Sequence, residues 1–177
     1  MAMIVTHIRF KMFKLLILDI DGVMTDGTKY YNLNNEVICK QYNDKDFTAI
    51  KRLKAGGIAV CFLSGDVRVN QAMASGRKID FYSARDSSGK IDKIKFIKEF
   101  MRIYGVTPDE MAYVGDDIYD VEIMKKVGHS YCPSDAPNYV KINSKCVLSR
   151  TGGTGVVAEL YDLLVQQNKI EEFVDEL

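Results

Sequence analysis

The stretch Lys14-Leu15-Leu16-Ile17-Leu18-Asp19-Ile20-Asp21-Gly22-Val23-Met24-Thr25-Asp26-Gly27 decides the fold. Its first half is almost continuously apolar, as a strand buried on both faces of a parallel sheet must be, so Lys14 to Ile20 reads as the first strand. Outward from it, apolar blocks alternate with longer stretches of helical period, the strand-helix alternation of an α/β fold. Thr28 to Tyr31 and Glu36 to Lys40 flank Asn32-Leu33-Asn34-Asn35. Those asparagines tolerate left-handed turn conformations, which predicts a β-hairpin beside the first strand. Asp46 to Ala55 reads as a helix closed by Gly56-Gly57. Ile58 to Leu63 is a second buried strand, Val67 to Ser75 a short helix, and Phe81-Tyr82 part of a third strand. Asp92 to Tyr104 is a helix ending at Gly105, and Thr107-Pro108-Asp109-Glu110 is a helix cap or a turn. Met111 to Val114 is a fourth strand, Ile118 to Val127 a helix, Ser130 to Cys132 a short strand, and Gly155 to Gln166 the last helix. Because strand-helix-strand crossovers are right-handed, the chain is expected to form a doubly wound parallel sheet with helices on both faces.

Against a prior of roughly 150 residues per domain, 177 residues predict a single domain over 1–177. Its core would run over about 13–167, and 168–177 would be an acidic, amphipathic tail, either frayed or an oligomer contact. Hydrophobic residues at 47% and charged residues at 27% supply one buried core and exclude a disordered chain. Lys plus Arg and Asp plus Glu are 24 each, with no basic block, so nucleic-acid and anionic-membrane partners lack an electrostatic footprint. No apolar run approaches the roughly 20 residues that span a bilayer, and Met1 to Phe10 is broken by His7 and Arg9, so no signal peptide is expected. Cys39, Cys61, Cys132 and Cys146 are scattered, as expected of reduced thiols in a cytoplasmic protein.

In open α/β sheets ligands bind at the carboxyl ends of the strands, so the residues after each apolar block carry the information. These are Asp19-Ile20-Asp21-Gly22 after the first, Ser64-Gly65-Asp66 after the second and Gly115-Asp116-Asp117 after the fourth, with Lys93 at the start of the preceding helix. Each has a plain alternative. An Asp at a strand end can cap a helix, Asp116 and Asp117 with Asp120 can cap the helix at Ile118, Ser64-Gly65 can be a turn, and Lys93 can be a solvated helix residue. Their joint occurrence, in this order, at the ends of consecutive buried strands favours one site. Several carboxylates at one sheet edge repel unless a cation sits among them, and all-oxygen ligation suits Mg²⁺.

Asp19-Ile20-Asp21-Gly22-Val23-Met24-Thr25-Asp26-Gly27, Leu63-Ser64-Gly65, Asp92-Lys93 and Gly115-Asp116-Asp117-Ile118-Tyr119-Asp120 resemble the four signature motifs of the haloacid dehalogenase superfamily. The hairpin, the absence of length for a cap domain and Gly152-Gly153-Thr154-Gly155 resemble more closely the capless 3-deoxy-D-manno-octulosonate 8-phosphate (KDO 8-phosphate) phosphatases and their nonulosonate 9-phosphate relatives. The resemblance implies that Asp19 is the nucleophile and Asp21 the general acid and base. It implies that Mg²⁺ is held by Asp19, the Asp21 backbone carbonyl and Asp116, with Asp117 near its water shell, and that Ser64, Gly65 and Lys93 hold the phosphate. It implies a sugar-acid phosphate substrate and a homotetramer in which the hairpin packs between subunits. The Arg150 to Gly155 segment would then either reach a neighbour's site or simply make the turn before the last helix.

One position departs from the octulosonate pattern, which usually carries a basic residue where this chain has Asp66. A carboxylate there would repel an acidic group and favour a hydroxyl or an ammonium, pointing to a nine-carbon sugar acid. Arg68 or Arg77 would supply positive charge for a 2-keto carboxylate, and Asp46 would either contact sugar hydroxyls or cap its helix. Tyr30, Tyr31, Tyr42 and Tyr82 would stack on a sugar or pack in a core or interface, while His7 and His129 lie outside the motifs. Two other classes compete. A catalytically weak phosphatase-like oligomerisation module, of the kind joined to sialic-acid cytidylyltransferases, should have lost Asp19 or Asp21. A receiver-type phospho-acceptor should lack an acid two residues after the acceptor. Both residues are present.

Overall fold

The computed structural model describes residues 12–167 and 169–170. His7 and nearly all of the tail at 168–177 lie outside them. The first described strand is β1 (Leu15–Leu18), followed by β2 (Tyr30–Tyr31), β3 (Val37–Cys39), α1 (Asp44–Ala55), β4 (Ala59–Ser64), α2 (Arg68–Gly76), β5 (Asp80–Ser83) and α3 (Phe96–Tyr104). Then come β6 (Met111–Val114), α4 (Val121–Met124), β7 (His129–Cys132), α5 (Asn138–Asn143), β8 (Cys146–Val147) and α6 (Val156–Gln166). Six strands form one sheet in the order β5-β4-β1-β6-β7-β8, every neighbouring pair parallel. β2 and β3 form a separate antiparallel hairpin, as predicted, with Asn35 left-handed (φ 60) and the Asn32 side chain accepting the N–H groups of Asn34 and Glu36.

The sheet is central because its strands are apolar on both parities. Leu16 and Leu18 face Ile50 and Leu53 of α1 and Val157 and Leu160 of α6. Leu15 and Ile17 face Phe96 and Phe100 of α3 and Ile123 of α4. At about 1.5–3 kcal/mol for each buried aliphatic side chain, neither face of β1 tolerates a polar residue before Asp19. From β1 the chain steps to one side for β4 and β5, then crosses back for β6, β7 and β8. The connections above β1 and β6 therefore diverge, and a crevice opens at their carboxyl ends. Among the described residues no helix is long and apolar enough to cross a membrane.

Beyond shifts of one or two residues at element ends, four elements differ from the sequence reading. α3 starts at Phe96 rather than Asp92, because residues 84–92 fold back through an Arg85–Ile91 bridge and a bond from Asp92 N–H to the Ala84 carbonyl (3.0 Å). The helix expected over Ile118 to Val127 is a 3-10 turn, Ile118–Asp120, followed by the short α4; the Asp120 carboxylate reaches back to the preceding N–H groups and tightens the first turn. α5 and β8 have no counterpart in the reading, since six polar-rich residues and a two-residue edge strand carry too little periodicity to detect.

Asp46 neither caps α1 nor reaches the crevice. α1 begins two residues earlier, capped by the Asn43 side chain, and Asp46 is fully buried against α6, where its Oδ1 accepts the N–H groups of Val157 (2.8 Å) and Ala158 (3.0 Å). It fills the role of a remote N-cap for α6. Burial lifts its carboxyl to about 6, against the pull of those two amides and of the Arg150 charge. A carboxyl raised in the native state binds its proton more tightly when folded. The stability this contributes is full below about pH 4 and is lost as pH rises through about pH 6. In urea unfolding, wild type should therefore lose up to about 3 kcal/mol relative to Asp46→Asn between about pH 4 and pH 7. Parallel pH profiles for the two proteins would show an unperturbed carboxyl.

Candidate active site

Asp19, Asp21, Ser64, Gly65, Asp66, Lys93, Asp116 and Asp117 line one cavity of about 300 Å³ at the carboxyl end of the sheet. After β1 the chain breaks into a tight turn in which the N–H groups of Val23, Met24 and Thr25 all return to the Ile20 carbonyl. Gly22 in that turn is left-handed (φ 79), and a Cβ there would overlap the Asp116 carboxylate, so glycine supplies both the conformation and the room. Ser64 closes β4, nearly buried, and its Oγ accepts from Asn70 Nδ2 (3.2 Å). Lys93 arrives from the fold-back before α3.

The centre of the site is ionic. Lys93, 4% exposed, donates from Nζ to Asp19 Oδ2 (2.6 Å), to the Tyr113 hydroxyl oxygen (3.0 Å) and to Asp120 Oδ1. Burial alone would discharge an ammonium, but Asp120 and Asp19 outweigh it and hold Lys93 above its usual pKa. Asp120 is fully buried. Its Oδ1 also takes the Tyr113 O–H (2.6 Å), and its Oδ2 takes the N–H groups of Asp116 and Asp117 (2.9 Å each). Tyr113 is itself driven far above its usual pKa, by burial and then by Asp120 and Asp19, and remains a donor.

Asp19 has Oδ1 on the Ile20 N–H (2.7 Å); burial raises its pKa to about 6, Lys93 opposing and Asp120 adding. Asp116 is pushed up to about 8 by burial, then by the charges of Asp19 and Asp120, and its Oδ1 is buried with no hydrogen-bond partner. Carboxylate oxygens of Asp19, Asp116 and Asp120 lie within 4.8 Å of one another. An unpartnered buried oxygen among like charges fits a divalent cation. Because Asp120 already accepts four bonds, Asp19 and Asp116 are the carboxylates open to an ion, and Asp120 orients the loop that carries Asp116. Asp117 is exposed and caps the 3-10 turn through the Ile118 N–H. Capping and site-forming are thus not alternatives in this loop.

Three of the sequence-predicted contacts are not brought to the cavity. Asp46 lies against α6, and Arg77 stacks over Phe47 (3.6 Å to the ring centre) and pairs with Asp44. Arg68 pairs with Glu36 on the surface. Besides Lys93, the cations at the cavity or just beneath it come from residues with no sequence signal of their own. Lys29 and Lys40 extend from the hairpin and both bond Asp66 Oδ2, at 2.9 and 2.8 Å, while Arg85 is pinned by the carbonyls of Gly65 and Gly89. Asp66 is therefore not a free negative charge at the mouth: the two ammonium groups hold its carboxyl below the usual range, against the rise that burial would bring. Tyr42 bonds Asn70, Tyr82 packs edge-on to Phe96 and Phe100, His129 lies edge-on to Phe13, and Tyr30 and Tyr31 are exposed on the hairpin. The Arg150 to Gly155 loop packs on its own chain, with Gly153 N–H on the Val23 carbonyl (3.0 Å).

Comparison with known proteins gives a consistent picture. A model of haloacid dehalogenase-like hydrolases matches residues 78–160. The 3-deoxy-D-manno-octulosonate 8-phosphate phosphatase of Haemophilus influenzae is 36% identical over 156 residues, covering 86% of this chain and 83% of that protein. The cobalt-bound structure of the deoxy-D-mannose-octulosonate 8-phosphate phosphatase from H. influenzae has a TM-score of 0.80 at 35% identity, covering 89% of this chain and 90% of that one. The Moraxella catarrhalis enzyme, in complex with magnesium, phosphate and KDO, has a TM-score of 0.78 and covers 87% of this chain and 86% of that one; at 24% identity its likeness is one of fold.

The ionic centre yields two expectations. Mg²⁺ should raise the thermal midpoint of wild type by binding the native state alone. Asp116→Ala should abolish that shift while melting no lower than wild type in EDTA, since it removes a repelled carboxylate; a retained shift would move the metal elsewhere. Asp120→Ala should cost about 3–5 kcal/mol in urea unfolding, the range for removing one partner of a buried ion pair, and a loss under about 1 kcal/mol would contradict its anchoring role.

Proposed function

This chain belongs to the haloacid dehalogenase superfamily and, within it, to the capless KDO 8-phosphate phosphatase family of phosphoric monoester hydrolases, and from that premise we propose that it hydrolyses KDO 8-phosphate with Mg²⁺ through an aspartyl phosphate. The observation that carries this reading is the meeting of Asp19 and Asp21 in one cavity with Ser64, Lys93 and Asp116. Asp19 is the nucleophile, its carboxylate fixed at one oxygen by Lys93 and at the other by the Ile20 N–H. It attacks phosphorus as the sugar oxygen leaves, splitting hydrolysis into two displacements. Asp21 protonates the departing alkoxide, then takes a proton from the water that cleaves the acyl phosphate and restores Asp19. Ser64, Gly65 and Lys93 hold the non-bridging oxygens, where the growing charge is greatest. Asp19, the Asp21 backbone carbonyl and Asp116 would hold the ion, with Asp117 close by. When bound, Mg²⁺ offsets the repulsion between an anionic nucleophile and an anionic ester.

The eight-carbon substrate is favoured over the nine-carbon one. With Asp66 engaged by Lys29 and Lys40, the electrostatic reason for excluding an acidic group disappears. Lys29 and Arg85 at the cavity supply the positive charge for the sugar-acid carboxylate that Arg68 and Arg77, on the surface, do not. The Haemophilus influenzae relative named above is a phosphatase of this eight-carbon ester. A scaffold role is disfavoured because every group the chemistry needs is assembled. Tyr30, Tyr31, Leu33 and Ile38 on the hairpin are exposed, which supports a homotetramer with the hairpin covered by a neighbour.

The test is phosphate release from KDO 8-phosphate and from a nine-carbon 2-keto-3-deoxy acid 9-phosphate, in Mg²⁺ and in EDTA. The eight-carbon ester should turn over faster, only with Mg²⁺, and Asp19→Asn should lower kcat by about 10³-fold or more. Preference for the nine-carbon ester would reassign the substrate, and activity surviving Asp19→Asn would overturn the mechanism.

A further inference from the structure

Beneath the cavity a polar network joins Lys40 and Asn70 to Asp21, Asp66 and Ser64. Lys40 closes the second arm of the hairpin, and its side chain is wholly buried. Its Nζ makes three bonds: to Asp21 Oδ1 (2.7 Å), to Asp66 Oδ2 (2.8 Å) and to Asn70 Oδ1 (2.9 Å). Asn70, on α2, is also fully buried and turns its Nδ2 to Asp21 Oδ2 (3.3 Å) and to Ser64 Oγ (3.2 Å), while Tyr42 donates its hydroxyl to Asn70 Oδ1 (3.1 Å). Asp21 is thus gripped at both carboxylate oxygens by groups from two elements outside its own loop.

A buried ammonium with every proton engaged is costly to desolvate and persists only where its partners are fixed. Nothing in α2 or the hairpin needs such a group for packing, since the apolar clusters lie on the sheet faces. We infer that Lys40, with Asn70 as its second hand, is a positioning residue that sets the angle at which the Asp21 carboxyl meets the leaving oxygen. This rests on the phosphatase reading and deepens it: the hairpin's second arm becomes part of the acid-base apparatus, linked through Asn70 to the Ser64 hydroxyl. Proton transfer in a transition state depends on heavy-atom distance and alignment. An Asp21 free to rotate would keep its carboxyl and lose its aim.

The readout that separates positioning from mere structure is the leaving group. An alkoxide must be protonated as it departs, whereas 4-nitrophenolate leaves without help. The experiment compares kcat/KM, which reports the first displacement and not the hydrolysis of the aspartyl phosphate common to both esters, on KDO 8-phosphate and on 4-nitrophenyl phosphate for the full Mg²⁺-loaded chain. Lys40→Met should lower kcat/KM for the sugar phosphate by about 10²-fold and for the aryl phosphate by less than about tenfold, following the size of general-acid contributions. Asn70→Ala, which keeps Lys40 and releases the other oxygen of Asp21, should shift the ratio the same way by a smaller factor. If Lys40→Met does not fold, Asn70→Ala decides. Equal losses on both esters would overturn the inference while leaving the phosphatase reading intact. A wild type that hydrolyses neither ester overturns both.

Discussion

The site depends on one constraint: carboxylates gathered at the carboxyl ends of neighbouring parallel strands cannot stay together without cations between them. Lys93 meets that constraint inside the protein. It bridges Asp19, just after β1, and Asp120, in the turn after β6, and its bond to Tyr113 ties it to β6. In so little solvent the attraction is large, and so is the penalty if any partner is lost. The loop holding Asp116 hangs on Asp120, so the geometry of Asp19, Asp116 and Asp117 traces back to this ammonium. What Lys93 leaves uncompensated is Asp116, whose buried, unpartnered oxygen marks the place for a divalent ion.

A second cationic layer covers the other side of the cavity. Lys29 and Lys40 come from the hairpin, a segment outside the doubly wound core, and meet Asp21 and Asp66. Without a cap domain, a Rossmann-like sheet leaves its crevice open. Here the hairpin does part of a cap's work by delivering charge rather than bulk, and its outward face keeps exposed apolar residues for a further contact.

Much of this was legible in the residues, for particular reasons. β1, β4 and β6 are apolar on both parities, and only a strand buried on two sides requires that. Asp19, Ser64 and Asp116 could be located because each lies at the end of such a run. Lys93 could be named but not placed, since its approach depends on the fold-back at residues 84–92. Lys40 and Asn70 left no trace, because an isolated lysine on a short strand and an asparagine on a helix look like surface residues until the hairpin folds over α2. Asp46 and Arg77 misled for the opposite reason. Their types suit sugar binding, but α1 starts at Asp44 and turns Asp46 onto α6, while Arg77 finds the Phe47 ring. Asp66 was located correctly and its charge misjudged, because its two lysine partners stand 37 and 26 residues away in the chain.

By itself the sequence determined the α/β architecture, the order of the elements up to β7 and the acidic strand ends, because hydrophobic periodicity and strand-end chemistry are local properties read along a few residues. Tertiary structure alone decided which charges neutralise which, where a cation has room and which side chains aim the reacting carboxylates. Those depend on distances of about 3 Å between atoms far apart in the chain, and no local pattern encodes them.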